Sequence, residues 1–160
     1  MIRRKTETRG RYDVGVYEVD IDVDMRRDAL QFAKDIILSD NQYSRLLPEN
    51  IKNSNDVSTQ QKIEIQRTYM GKLGEIVFLK LLNSKGKIVN TQGMFEIYEG
   101  QDNVDSFDFE TIDGESVDVK SGFRTIHTRL LVNIQQFDRS PKNYYVGVKL
   151  NAQDTNSEQK

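Results

Sequence analysis

Ser106-Phe-Asp-Phe-Glu-Thr-Ile-Asp-Gly-Glu-Ser-Val-Asp-Val-Lys120 decides how this chain is read. Asp113-Gly114 lies between two alternating runs, the pattern of a β-hairpin, and the loop length fixes which residues share a face. A two-residue turn of Asp113 and Gly114 sets Phe109 opposite Asp118 and Phe107 opposite Lys120, mixing apolar and charged groups on both faces. A three-residue loop, Ile112-Asp113-Gly114, with Gly114 left-handed in a bulge, shifts the pairing by one. Phe107 then faces Val119, Phe109 faces Val117, and Asp108 lies opposite Asp118 with Glu110 and Lys120 flanking. A one-residue slip turns every side chain over, so burial of the phenylalanine–valine face selects this second register.

That register brings two carboxylates together, which repel across a sheet. A divalent cation removes the repulsion and makes the pair a hard oxygen site suited to magnesium. Lys120, two residues beyond Asp118, projects from the same face, where it can orient or deprotonate a metal-bound water and offset charge on a phosphate.

Upstream, helical spacing predicts a long helix over 59–82. Its Glu75 shares a face with Phe78, Leu79 and Leu82. An acid on an apolar face is expected to be paired, neutral or functional, and this one is expected to point at the sheet. Gly71 and Gly74 interrupt the helix, which predicts close packing or a kink. Asn83-Ser-Lys-Gly86 ends it.

Further upstream, residues 1–11 carry Arg3, Arg4, Lys5, Arg9 and Arg11 and read as a solvated terminus, with a DNA-contacting arm as the alternative. Val14–Val23 alternates as a strand with one wet face, and the slip between Val16 and Val19 marks a bulge or a change of face. Asp20-Ile-Asp22-Val-Asp24 is no calcium loop: Met25 stands where the turn glycine belongs and Gln31 where the final glutamate belongs. Asp24 is expected to cap a helix over 25–38, and Ser39–Thr59 to be an irregular connection.

Downstream, strands are expected at 87–90, 94–98, 104–111, 115–121, 129–133 and 144–150, with a helical turn at 134–139 and Tyr144-Tyr145 mostly in the core. Mixed helices and strands imply an α/β or α+β fold with a central sheet, one domain overall. Its expected parts are an N-terminal strand–helix region and connection (1–58), a core (59–150) and a polar tail (151–160).

The ordered set of Gly71-Lys-Leu-Gly-Glu75 on a helix, Asp108 on a strand and Asp118-Val-Lys120 on the next resembles the PD-(D/E)XK nucleases, the restriction-endonuclease-like superfamily. Phe107 replaces the proline of the family name, and Asp118 takes the position shared by Asp and Glu. The resemblance implies a central mixed β-sheet flanked by helices. It implies Asp108, Asp118 and the Val119 carbonyl as metal ligands, Lys120 as catalytic lysine and Glu75 as auxiliary acid. The cofactor would be magnesium, or manganese in its place, with no organic cofactor. Ser121 and Gln135 or Gln136 are candidates to line the site, and Arg124 and Arg129 to touch DNA phosphates. Asp105 is a rival first ligand, ranked lower because a regular strand turns it to the opposite face. His127, the single histidine, is read as a surface residue.

The function so implied is metal-dependent hydrolysis of double-stranded DNA, first as a type II-like restriction endonuclease acting as a homodimer. A Holliday-junction resolvase, a DNA-repair nuclease or a catalytically inactive DNA-binding module are the alternatives. The 160 residues carry a net charge of −2, neutral evidence for a nuclease that places carboxylates at its centre. The absence of cysteine excludes a disulfide framework, a thiolate zinc site and an iron–sulfur cluster, and fits a reducing cytoplasm. No apolar run reaches the roughly 20 residues of a membrane helix.

Overall fold

A computed structural model describes residues 1–38, 57–97, 108–123 and 130–151 of the chain. Among these residues the architecture is mixed α and β, with a two-stranded sheet, a four-stranded sheet and three helices.

Strands β1 (Ile2–Arg9) and β2 (Tyr12–Val19) form an antiparallel ribbon in continuous register from Ile2↔Val19 to Arg9↔Tyr12. The turn between them is Gly10-Arg11. Gly10 has φ +64° and no non-glycine residue among the described residues has positive φ, which matches the type II′ hairpin turn with glycine first. The basic opening segment is thus a strand, contrary to its reading as a solvated terminus: each residue from Ile2 to Arg9 has a register partner in β2. Continuous pairing also excludes a bulge between Val16 and Val19, which simply sit on opposite faces. Val19 and Ile21 turn inward to the core, and the strand ends at Val19, short of the expected Val23.

Helix α1 (Val23–Leu38) is capped by Asp22, whose carboxylate accepts the Met25 N–H at 3.0 Å. Asp24, the expected cap, is instead in the first turn and pairs with Arg27. Met25, Ala29, Ala33 and Ile36 are buried at helical spacing. Ala29 and Ala33 are fully buried, and their small side chains let α1 lie close on helix α2 (Val57–Ser84). This helix buries Tyr69, Met70, Leu73 and Val77 against α1 and Leu150 in one cluster. Its Ile76, Phe78 and Leu79 pack on a second cluster of Met94, Phe109, Val117 and Val119. Helix α2 is therefore clamped between α1 and the larger sheet, which explains apolar residues on more than one stripe. Burying each large side chain such as Leu73 or Phe109 contributes about 1.5–3 kcal/mol. Gly86, at φ +64°, ends the helix as its sequence predicts.

The larger sheet has the order β3 (Val89–Asn90), β4 (Phe109–Thr111), β5 (Ser116–Gly122), β6 (Tyr144–Lys149). The first two pairings are antiparallel and β5–β6 is parallel. A parallel pair requires a crossover, here the segment containing α3 (Ile134–Arg139), whose cap Asn133 accepts the Gln135 and Gln136 N–H groups. Two expected strands are not formed. Residues 92–95 make turns, with the Met94 N–H on the Thr91 carbonyl and the Glu96 N–H on the Gly93 carbonyl, and 130–133 are irregular. Tyr144, expected in the core, is exposed with its hydroxyl on Glu115. The 39–56 connection lies outside the described residues. No helix among the described residues is long and apolar enough to cross a membrane.

Candidate active site

The β4–β5 hairpin takes the register that burial selects. Phe109 pairs with Val117 and Glu110 with Ser116. The Thr111 N–H meets the Glu115 carbonyl at 2.9 Å, the Gly114 N–H returns to the Thr111 carbonyl at 3.0 Å, and Gly114 has φ +79°. The loop is therefore Ile112-Asp113-Gly114, and a left-handed glycine closes it. Phe109, Val117 and Val119 are buried beneath α2, with Phe109 edge-on to Phe78 at 5.8 Å between ring centroids. Pleating sends Asp108, Asp118 and Lys120 to the other face.

Asp108 stands immediately before β4. Its N–H donates to the Val117 carbonyl at 3.0 Å, and its carboxylate accepts the Val119 N–H at 2.5 Å. An N–H and C=O of one strand residue leave the same side, so the Val119 carbonyl also points toward Asp108. Asp118, one step across the hairpin, lies close enough for its charge to oppose ionisation of Asp108. Burial pushes the Asp108 carboxyl up to about 6; the neighbouring Asp118 charge adds to the rise, while the Val119 N–H and Lys120 oppose it. Lys120 Nζ lies 2.8 Å from Asp118 Oδ1 and 2.7 Å from Oδ2. Asp118 Oδ2 is buried and, despite that ionic contact, no donor meets it in hydrogen-bonding geometry. One lone-pair-rich oxygen is thus left under-coordinated in a buried acid pair.

Glu75 does not join this pair. It is bound by Lys72, whose Nζ lies 2.5 Å from Glu75 Oε2, donates to the Met94 carbonyl at 2.6 Å, and sits 4.2 Å from the Phe32 ring centroid. Among the described residues no three acidic or histidine side chains gather where a metal ion could be held. Helix α2 covers the phenylalanine–valine face, whereas the aspartates occupy the other.

Ser121 likewise faces α2: a Cβ at Gly74 would stand 1.9 Å from its hydroxyl oxygen, which is buried without a hydrogen-bond partner. The close packing expected of the helix glycines is real at Gly74 and absent at Gly71, where nothing lies within 4 Å. Gln135 and Gln136 are exposed on α3. Arg124, Arg129, His127 and Asp105 lie outside the described residues.

The sequence reading overlooked Lys72, one of the few buried charged residues. The signal was present: Glu75 on an apolar face needs a partner, and Lys72 is three residues earlier, in reach on a helix. Compared with known protein families, curated proteins and solved structures, the chain matches none of them.

Proposed function

We propose that this protein is a metal-dependent nuclease of the restriction-endonuclease-like superfamily that hydrolyses phosphodiester bonds in double-stranded DNA. The observation that carries the reading is half-buried Asp108 facing buried Asp118 across the hairpin, with Lys120 on Asp118. Two carboxyls face each other, one of them pushed up to about 6 by burial and by its neighbour's charge, and a cation between them relieves both costs. Their hard oxygens fit magnesium, or manganese in its place, and the Val119 carbonyl is turned toward the same spot. The order of acid-bearing strands within a mixed sheet also agrees with the superfamily.

Asp108, Asp118 and the Val119 carbonyl would hold the ion. Bound there, it supplies Lewis acidity to an attacking water and to the scissile phosphate. Asp108, anchored by the Val119 N–H, keeps its carboxylate fixed against β5. Lys120 has a side chain 29% exposed, so its ammonium spans from the buried Asp118 to solvent. From that position it attracts a phosphate and steadies charge that builds on it. Glu75, neutralised by Lys72, takes no ligand role in this account. A type II-like restriction enzyme working as a homodimer is the assignment we favour within the class.

The test is cleavage of supercoiled plasmid, linear duplex and a four-way junction, with magnesium, with manganese and with chelator. Wild type should cut in metal and leave 5′-phosphates. Asp118→Asn and Lys120→Ala, checked for folding by circular dichroism, should lose at least about 100-fold, the scale of removing a transition-state charge contact. Equal activity in both variants would remove the site assignment. Absence of cleavage by wild type on every substrate and metal would replace the enzyme with a DNA-binding module.

A further inference from the structure

The β1–β2 ribbon has two unlike faces. On one, every cation is already matched: Arg3 with Glu18 at 3.4 Å, Lys5 with Glu7 and Glu18 at 3.2 Å, and Arg9 with Glu7. On the other, the pairs Arg4↔Tyr17 and Thr6↔Gly15 present a different surface. Gly15 leaves a flat spot, and the Arg4 guanidinium lies over it, 3.7 Å from where a Cβ would stand. Tyr17 is 43% exposed, and Lys85 from the end of α2 places its ammonium 4.7 Å from the ring centroid. Among the described residues neither Arg4 nor Lys85 has a carboxylate partner.

We propose that this Arg4–Thr6–Tyr17–Lys85 face docks onto double-stranded DNA. On this face Arg4 and Lys85 stand against one carboxylate, Asp13, which accepts from the Thr8 hydroxyl at 2.8 Å, whereas the whole chain has 23 basic against 25 acidic side chains, so the face is locally positive on an otherwise acidic molecule. Unpaired cations, a hydroxyl and a tyrosine are the groups that contact DNA backbone, and a two-stranded ribbon fits the major groove. The ribbon is also tied to the core: Lys80 Nζ donates to the Asp20 carbonyl at 2.9 Å and the Asp22 carboxylate at 3.0 Å. A surface held this way loses little entropy on binding. The inference deepens the nuclease reading and rests on it for the choice of DNA as occupant.

Fluorescence anisotropy with a labelled duplex in chelator, over a salt series, tests docking without cleavage. Arg4→Gln with Lys85→Gln should weaken binding at least tenfold and lower the log–log salt slope by about two, roughly 0.9 per lost phosphate contact. Arg3→Gln, on the matched face, should change affinity less than twofold. Both variants alter exposed side chains, and an unchanged thermal midpoint confirms their folding. Equal affinity of wild type and the double variant, no binding by wild type, or equal binding to duplex RNA of the same sequence would each overturn the proposal. Wild type that binds duplex through this face yet never cleaves would sink the nuclease reading alone. Cleavage with an unaltered KM in the double variant would sink the ribbon alone.

Discussion

Two lysine–carboxylate pairs stand on opposite faces of one sheet, and they have opposite characters. Lys72 and Glu75 are closed in: the ammonium also meets the Met94 carbonyl and the Phe32 ring, and its side chain is only 8% exposed. Lys120 and Asp118 are open at the lysine end and carry a second acid, Asp108, at the other. In the first pair every charge is met, so its chemistry is finished when the chain folds. In the second, two facing acids have one cation between them, which leaves a demand that an external ion can meet. An ion pair marks a functional site by what remains unmatched around it, not by its presence.

The sharpest way to break this contrast is to remove each lysine in turn. Lys72→Met leaves Glu75 enclosed without its cation, and losing one partner of a buried pair costs about 3–5 kcal/mol. Urea denaturation should register that loss as a lower midpoint at unchanged slope, while the folded fraction keeps its full specific activity. Lys120→Met should abolish cleavage, and because it leaves the buried Asp118 carboxylate without its cation it should also lower stability, by about 1–3 kcal/mol. Should Lys72→Met destroy activity in protein that remains folded, the two pairs are not separate and Glu75 regains a place in the chemistry.

The hairpin was legible in the sequence because its two faces were chemically unlike. Phe109 and Val117 could be buried only in one register, and that register alone fixed Asp108 against Asp118. The ribbon gave no such signal: in β1 charged and hydroxyl residues occupy both faces from Arg3 to Arg9, so nothing in the pattern separates a strand from a solvated terminus. It is paired backbone and cross-strand ion pairs that make it a strand. The misassigned cap has a related cause, because Asp22 and Asp24 are both good cap residues and only the chain's entry from β2 chooses between them. Glu75 stands out in the sequence as an acid on an apolar face, but the pattern does not name Lys72 as the cation that meets it. Its partner lay on its own helix, where spacing shows reach but not which of two faces the long side chains turn to.

Asp108 offers a subtler break, through pH. Its folded-state value, about 6, lies above the ordinary 3.8. The folded protein therefore binds more protons than the unfolded chain between about pH 4 and pH 6, and stability falls as pH rises through that window. In metal-free protein the loss should be about 3 kcal/mol, seen as a falling thermal midpoint, and should flatten above about pH 7. Asp108→Asn removes the titrating group, so its midpoint should change less over the same range. Magnesium should raise the wild-type midpoint mainly at the upper end, where the ion has no proton to displace. A wild-type profile that rises from pH 4 to 7 would mean that burial and the Asp118 charge do not hold the Asp108 proton in the folded state.

The smallest effects test whether the two regions are held apart by packing. Gly74 lies on α2 between Lys72 and Glu75 and presses against Ser121 of the strand that carries Asp118 and Lys120. A methyl group there would overlap the Ser121 hydroxyl, and overpacking of this kind costs about 1–3 kcal/mol, more than the up to about 1 kcal/mol that alanine gains in a helix. Gly71, three residues earlier, meets nothing, so Gly71→Ala should stabilise by about 0.5–1 kcal/mol while Gly74→Ala destabilises. Ser121→Gly should rescue Gly74→Ala, because it clears both the hydroxyl and the Cβ that the new methyl would strike. A strand displaced by Gly74→Ala would carry Asp118 away from Asp108, so activity should fall further than the stability loss explains and return in the double variant. If Gly74→Ala were as benign as Gly71→Ala, helix and strand would not be in the contact that separates the closed ion pair from the open one.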